Sequence, residues 1–133
     1  MKLETSIKNA LLIANRIKHC NGLIGTPHAS HEALRIKRAW LFGSTAKGKQ
    51  NPNDTDILLE CEAVGRFRFN NAKMEPKSRS SGHRYRLHAM DEGRYYLRGN
   101  LKMVRFHDLK IDGNFGDIPD TKIMIYPRLD LTI

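Results

Sequence analysis

Two aspartates and a small-residue turn are the residues best placed to do chemistry in this chain. The run Leu41-Phe42-Gly43-Ser44-Thr45-Ala46-Lys47-Gly48-Lys49-Gln50-Asn51-Pro52-Asn53-Asp54-Thr55-Asp56-Ile57 contains both. Gly43-Ser44 follows an apolar segment, so the backbone can turn sharply there and offer N–H groups to an anion. Asp54 and Asp56 are two apart, and in an extended strand that spacing places both carboxylates on one side. Two like charges so close are costly unless a cation sits between them, and a divalent metal is the usual answer. A phosphate-cradling turn beside a carboxylate pair is hardware for Mg²⁺-dependent phosphoryl or nucleotidyl transfer. Gly43 to Lys49 also satisfies most of a P-loop pattern, but Gln50 stands where the metal-binding Ser/Thr is required. Gln50-Asn51-Pro52-Asn53 is moreover a turn sequence, whereas a P-loop lysine opens a helix.

In these residues the chain resembles the nucleotidyltransferase superfamily of DNA polymerase beta type, most closely its small, minimal members. The family signature is an apolar residue, Gly-Ser or Gly-Gly, nine to thirteen residues, then Asp-apolar-Asp/Glu-apolar. Here Phe42-Gly43-Ser44 is followed by nine residues and then Asp54-Thr55-Asp56-Ile57. Thr55 departs from the pattern by replacing the apolar residue between the carboxylates. The resemblance covers roughly residues 3–60. It implies that Gly43 and Ser44 hold the β/γ-phosphates of an NTP, with Lys47 or Lys49 neutralising charge. It implies also that Asp54 and Asp56 bind Mg²⁺ as catalytic ligands, completed by a third carboxylate from a later strand. Asp108, in the apolar-rich segment Val104–Ile111, is the first choice for that third ligand; Asp112 and Asp130 are the alternatives, and its absence is a further one. The implied reaction moves an NMP from an NTP to a hydroxyl acceptor, by two-metal catalysis.

Other candidates weigh less. His28 and His31 are three apart, but no third zinc ligand of matching spacing accompanies them. His107 can orient Asp108, although packing or solvation explains it better. Cys20 and Cys61 have no C-x-x-C spacing and read as buried free thiols in a reducing, cytoplasmic compartment.

The elements that must position these residues can be read from periodicity. Leu3, Ile7, Ala10, Leu11, Ala14 and Ile17 recur at helical spacing, predicting an amphipathic helix from Leu3 to about His19, stopped at Asn21-Gly22. Thr26-Pro27 predicts a shorter second helix reaching about Leu34. Ile36–Phe42 reads as a strand entering the Gly43 turn, and Ile57–Leu59 as a second, buried strand. Asn70–Ser81 reads as a long loop, and Arg84–Met90 with Arg94–Arg98 as a β-hairpin. Leu101–Ile111 and Lys122–Tyr126 are the remaining strand candidates. Helices first and then mostly strands predict an α+β chain, a single domain over 1–133. The resemblance sharpens this to a polymerase beta-like mixed sheet with helices packed on one face.

The 133 residues carry 23 Lys+Arg against 14 Asp+Glu, a net charge of +9. With 40% hydrophobic residues, wholesale disorder is excluded. The longest apolar run, Ala10–Ala14, is far short of the ~18 residues that span a bilayer, and the N-terminal segment does not read as a signal peptide. The charge concentrates in residues 66–105, at +8. There Arg66, Arg68, Lys73, Lys77, Arg79, Arg84, Arg86, Arg94 and Arg98 interleave with Phe67, Phe69, Tyr85, Tyr95 and Tyr96. Basic groups contact phosphates and aromatics stack on unpaired bases, so an RNA or DNA acceptor is one expectation. A solvated basic face over strand cores is the other. A separate protein partner, an acceptor that is a protein side chain or small molecule, and a non-catalytic nucleotide-binding module complete the alternatives.

Overall fold

The computed structural model describes residues 1–24, 32–66, 68–69, 72–73, 96–109 and 119–131. Its elements, in chain order, are α1 (Leu3–His19), β1 (Leu23–Ile24), β2 (Glu32–Phe42), α2 (Gly43–Ala46), β3 (Thr55–Arg66), β4 (Arg68–Phe69), β5 (Ala72–Lys73), β6 (Val104–Asp108) and β7 (Lys122–Tyr126). The class is α+β, with a mixed five-stranded sheet.

β2 is the hub. One of its edges pairs antiparallel with β3 along nearly its whole length, from Glu32↔Arg66 to Phe42↔Asp56. The other edge is shared between β1, at Leu34 and Arg35, and β7, at Ala39–Phe42. β6 joins the far side of β3 in parallel, pairing Thr55 with Val104 and Leu59 with Asp108. A separate two-residue pair links β4 and β5.

Helix α1 buries Ala10, Ile13, Ala14 and Ile17 against Leu34, Ile36, Ala39, Leu41, Ile57, Leu59, Val104 and Phe106. The 3.6-residue period sets those helix positions on one stripe, and each large aliphatic so buried contributes about 1.5–3 kcal/mol. Along β2 the core residues run 34, 36, 39, 41, which breaks strict alternation. A register shift between Ile36 and Arg38 accounts for it: Lys37 is the extra residue of a bulge, and both ends of the strand therefore face α1. The opposite sheet face is not bare, since Trp40 is 2% exposed and Leu58 0% exposed, neither being part of the α1 cluster. Arg38 on that face is held by Glu60 at 3.0 and 2.6 Å and lies 5.1 Å from the Trp40 ring. Its guanidinium pKa is raised, first by the hydrogen bond and then by the charge of Glu60.

Several expectations change. The helix proposed to end near Leu34 does not: Glu32–Leu34 belong to β2, and residues 25–31 lie outside the described set. Ala72–Lys73, expected within a loop, pair as β5. Tyr96–Arg98, expected as a hairpin arm, form a helical turn; the Arg16 guanidinium holds its end by donating to the carbonyls of Leu97 (2.7 Å) and Arg98 (2.9 Å). Cys61 is buried, but Cys20 is only half-buried at the end of α1. Among the described residues no helix is long and apolar enough to cross a membrane.

Candidate functional site

The apolar end of β2 delivers Phe42 to the sheet's outer face, and the next residue turns the chain. Gly43 has φ +71°, the left-handed region that residues with a Cβ avoid. A Cβ on Gly43 would also lie 2.7 Å from Asp56 Oδ2, so a side chain here would both strain the backbone and displace that carboxylate. From Gly43 the backbone winds into α2, with Lys47 N–H bonding Gly43 O at 3.2 Å, Gly48 N–H bonding Thr45 O at 3.0 Å and Lys49 N–H bonding Ser44 O at 3.1 Å. Ser44 is half-buried, and Lys47 and Lys49 are exposed on the same tight turn. Phe42, Gly43 and Lys47 line an open cleft of about 330 Å³ whose other wall is Pro119, Asp120 and Thr121.

The register explains which side chains meet the aspartates. Phe42 pairs with Asp56, Asp56 with Arg105 and Leu58 with His107, so these five share the face opposite α1. Arg105 Nε lies 3.4 Å from Asp54 Oδ2, and His107 Nε2 lies 3.6 Å from Asp56 Oδ1. The carboxylates are mostly enclosed (19% and 20% exposed), whereas the Arg105 side chain is 68% exposed. The imidazole of His107 stands edge-on to the Phe42 ring, 5.2 Å between centroids.

The structure therefore brings Gly43, Ser44, Lys47, Asp54 and Asp56 to one end of the sheet, with Lys49 on the same turn. Asp108 is not brought there. It pairs with Leu59, alternates with Val104 and Phe106, and is 0% exposed on the α1 side of the sheet. The β6 positions that do face the acidic pair are Arg105 and His107, which are cationic or neutral. Accordingly His107 stands on the opposite side of β6 from Asp108 and meets Asp56 instead. Asp130 is exposed and bound through both carboxylate oxygens by Arg128, at 2.8 and 2.9 Å. Asp112, His28 and His31 lie outside the described residues.

No group of three His, Cys, Asp or Glu able to hold a metal occurs among the described residues. Two neighbouring carboxylates nonetheless suit Mg²⁺, a hard cation that takes one or two carboxylates and completes its shell with substrate phosphates and water. Asp54 and Asp56 fit that donor set.

Sequence reasoning missed a buried hydroxyl cluster behind the aspartates. Ser6 Oγ of α1 lies 2.7 Å from Thr45 Oγ1 of α2 and 2.6 Å from Thr55 Oγ1 of β3, and Thr45 Oγ1 donates to Asp54 O at 3.1 Å. Thr55, the one departure from the apolar spacing between the acids, is thereby accounted for. It also missed Arg105 and set His107 beside Asp108 rather than Asp56; only the parallel β3–β6 register assigns both residues to the site. Much of the basic segment, including Phe67, Lys77, Arg79, Arg84, Tyr85, Arg86, Arg94 and Tyr95, lies outside the described residues. Within it Arg98 has a structural part, donating to Val104 O at 3.0 Å and lying 5.7 Å from the Phe106 ring.

No protein-family model, curated protein or solved structure matches the chain.

Proposed function

We propose that the chain is a Mg²⁺-dependent nucleotidyltransferase of polymerase beta-like fold, moving an NMP from an NTP to a hydroxyl acceptor with release of pyrophosphate. The observation that carries this reading is the contact of the Gly43 turn with Asp56, on the face that also receives Asp54. In this reading the Gly43-Ser44 turn receives the β/γ-phosphates, and Lys47 and Lys49 balance their charge. Asp54 and Asp56 hold Mg²⁺, which when bound supplies charge neutralisation for the triphosphate and the leaving pyrophosphate. The basic segment 66–105 is assigned an RNA or DNA acceptor, and the setting is cytoplasmic.

The test is transfer of label from an α-labelled NTP to RNA, DNA or lysate protein. Asp54→Ala and Asp56→Ala are expected to abolish Mg²⁺-dependent transfer with the fold retained. Unaltered turnover in both variants would overturn the reading. Label appearing on protein rather than nucleic acid would reassign the acceptor.

A second reading, a nucleotide-binding module without catalysis, is favoured by one specific observation. Arg105 and His107 occupy the β6 positions beside the acids, while Asp108 points into the opposite face. Mg²⁺-dependent ATP binding without transfer to any of the three acceptors would select it.

A further inference from the structure

In the cluster formed by Ser6, Thr45 and Thr55 the proton directions can be followed outward from one obligate acceptor, the Asp54 carbonyl. Each hydroxyl has one proton to give. The Asp54 carbonyl can only accept, so Thr45 must donate to it. Thr45 then has no proton for Ser6, and Ser6 must donate to Thr45. By the same step Thr55 donates to Ser6, with Met1 Sδ, 3.8 Å from Thr55 Oγ1, as a second and weaker acceptor for that proton. The result is a one-way chain, Thr55 to Ser6 to Thr45 to Asp54 O, that begins on the residue between the two aspartates and ends on the backbone of the first.

Ser6 and Thr55 are 0% exposed and Thr45 is 4% exposed, so water cannot take the place of a missing member without rearrangement. The chain joins helix α1 to two elements some forty to fifty residues further along the sequence. Thr45 is the third residue of the turn that begins at Gly43, and Thr55 opens β3. α1 grips the connecting loop a second time, through Leu3 N–H bonding Gln50 O at 3.0 Å. Thr55 N–H meanwhile bonds Met103 O at 2.8 Å, just before β6, which carries Arg105.

We propose that Ser6, Thr45 and Thr55 are positioning residues. Their hydroxyl chain sets the Gly43-Ser44 turn at a fixed offset from the Asp54 and Asp56 carboxylates, so that a metal ion held by the acids meets a triphosphate held by the turn. The proposal rests on the nucleotide-and-metal reading of the site given above. None of the three hydroxyls touches the ligand; their effect is on how well the two halves of the site are held together. Loss of one hydroxyl therefore weakens the metal-dependent part of nucleotide binding and leaves the metal-independent part unchanged.

The test measures ATP affinity of the full chain with and without Mn²⁺, for wild type and for Thr55→Val, Thr55→Ser and Ser6→Ala. Valine keeps the shape of threonine and removes the hydroxyl; serine keeps the hydroxyl. For Thr55→Val the Mn²⁺-induced gain in ATP affinity is expected to fall by about tenfold or more, the scale of losing a group that orients a metal ligand. Thr55→Ser is expected to restore most of it, and affinity without Mn²⁺ is expected to stay within about twofold of wild type. Ser6→Ala, on a helix that alanine favours, is expected to reproduce the loss from a residue remote from the ligand, and it serves should Thr55→Val fail to fold. An unchanged Mn²⁺ gain in Ser6→Ala, or equal losses with and without Mn²⁺, would overturn the positioning role while leaving the reading of the site intact. Wild-type chain with no Mn²⁺ gain at all would overturn both.

Discussion

Gly43 and Asp56 approach each other so closely at the end of the β2–β3 pair that a β-carbon on the one would lie 2.7 Å from a carboxylate oxygen of the other. The turn and the carboxylate to which the proposed function gives opposite charges to bind are thus parts of one contact.

Gly43→Ala tests that contact. The left-handed backbone alone costs a residue with a Cβ about 1–2 kcal/mol, and the methyl group must also displace Asp56 Oδ2. A lower urea midpoint with an unchanged denaturant slope is expected, together with loss of Mg²⁺-dependent ATP binding. Ser44→Ala, at the neighbouring position, is expected to leave the urea midpoint nearly unmoved.

Arg105→Gln removes the cation beside Asp54. The guanidinium is largely exposed, and pairs of that kind are worth about 0–1 kcal/mol, so thermal denaturation should show little change. With the competing charge gone, affinity for Mn²⁺ alone is expected to rise by up to about fivefold, which titration calorimetry would read.

Arg16→Met keeps the aliphatic stem of the side chain and removes the donors that hold the Leu97 and Arg98 carbonyls. A loss of about 1–2 kcal/mol is expected, since charged hydrogen bonds are among the stronger ones and this one is half-exposed. Amide exchange should accelerate at residues 97–101 more than in β2.

Leu58→Ala probes the sheet face turned away from α1. Its 0% exposure makes it a core residue despite standing outside the α1 cluster, and truncation there costs about 2–5 kcal/mol. For a domain of ordinary stability, about 5–15 kcal/mol, that is a large part of the total, and the melting temperature should fall by many degrees.

Helix α1 and strand β7 lie where the sequence predicts them, residue for residue, because each rests on local signals: a 3.6-residue stripe ended by Asn21-Gly22, and a short apolar run between turns. β2 and β3 extend beyond their apolar centres. Arg35 and Glu62 lie in those extensions and pair with each other, and such backbone pairing keeps polar residues extended where hydropathy alone does not. The Gly43-Ser44 turn and the Asp54–Asp56 spacing were legible for the same local reason. The orientation of Asp108 was not. Its apolar neighbours show that it belongs to a strand, but which face it takes follows from the β3–β6 register, and a slip of one residue reverses every side chain. The hydroxyl chain was equally hidden, since Ser6, Thr45 and Thr55 are joined only by packing of α1 on the sheet.

The shared edge of β2 bears on how the molecule is made. Ala39–Phe42, the stretch leading into Gly43, take their second set of backbone partners from Lys122–Tyr126. A ribosome completes those partners some eighty residues after it has released β2, so a nascent chain halted before Lys122 carries an open strand edge beside the Gly43 turn. Until translation has passed β7, that edge is available to any other extended segment nearby, and the final strand is what withdraws it.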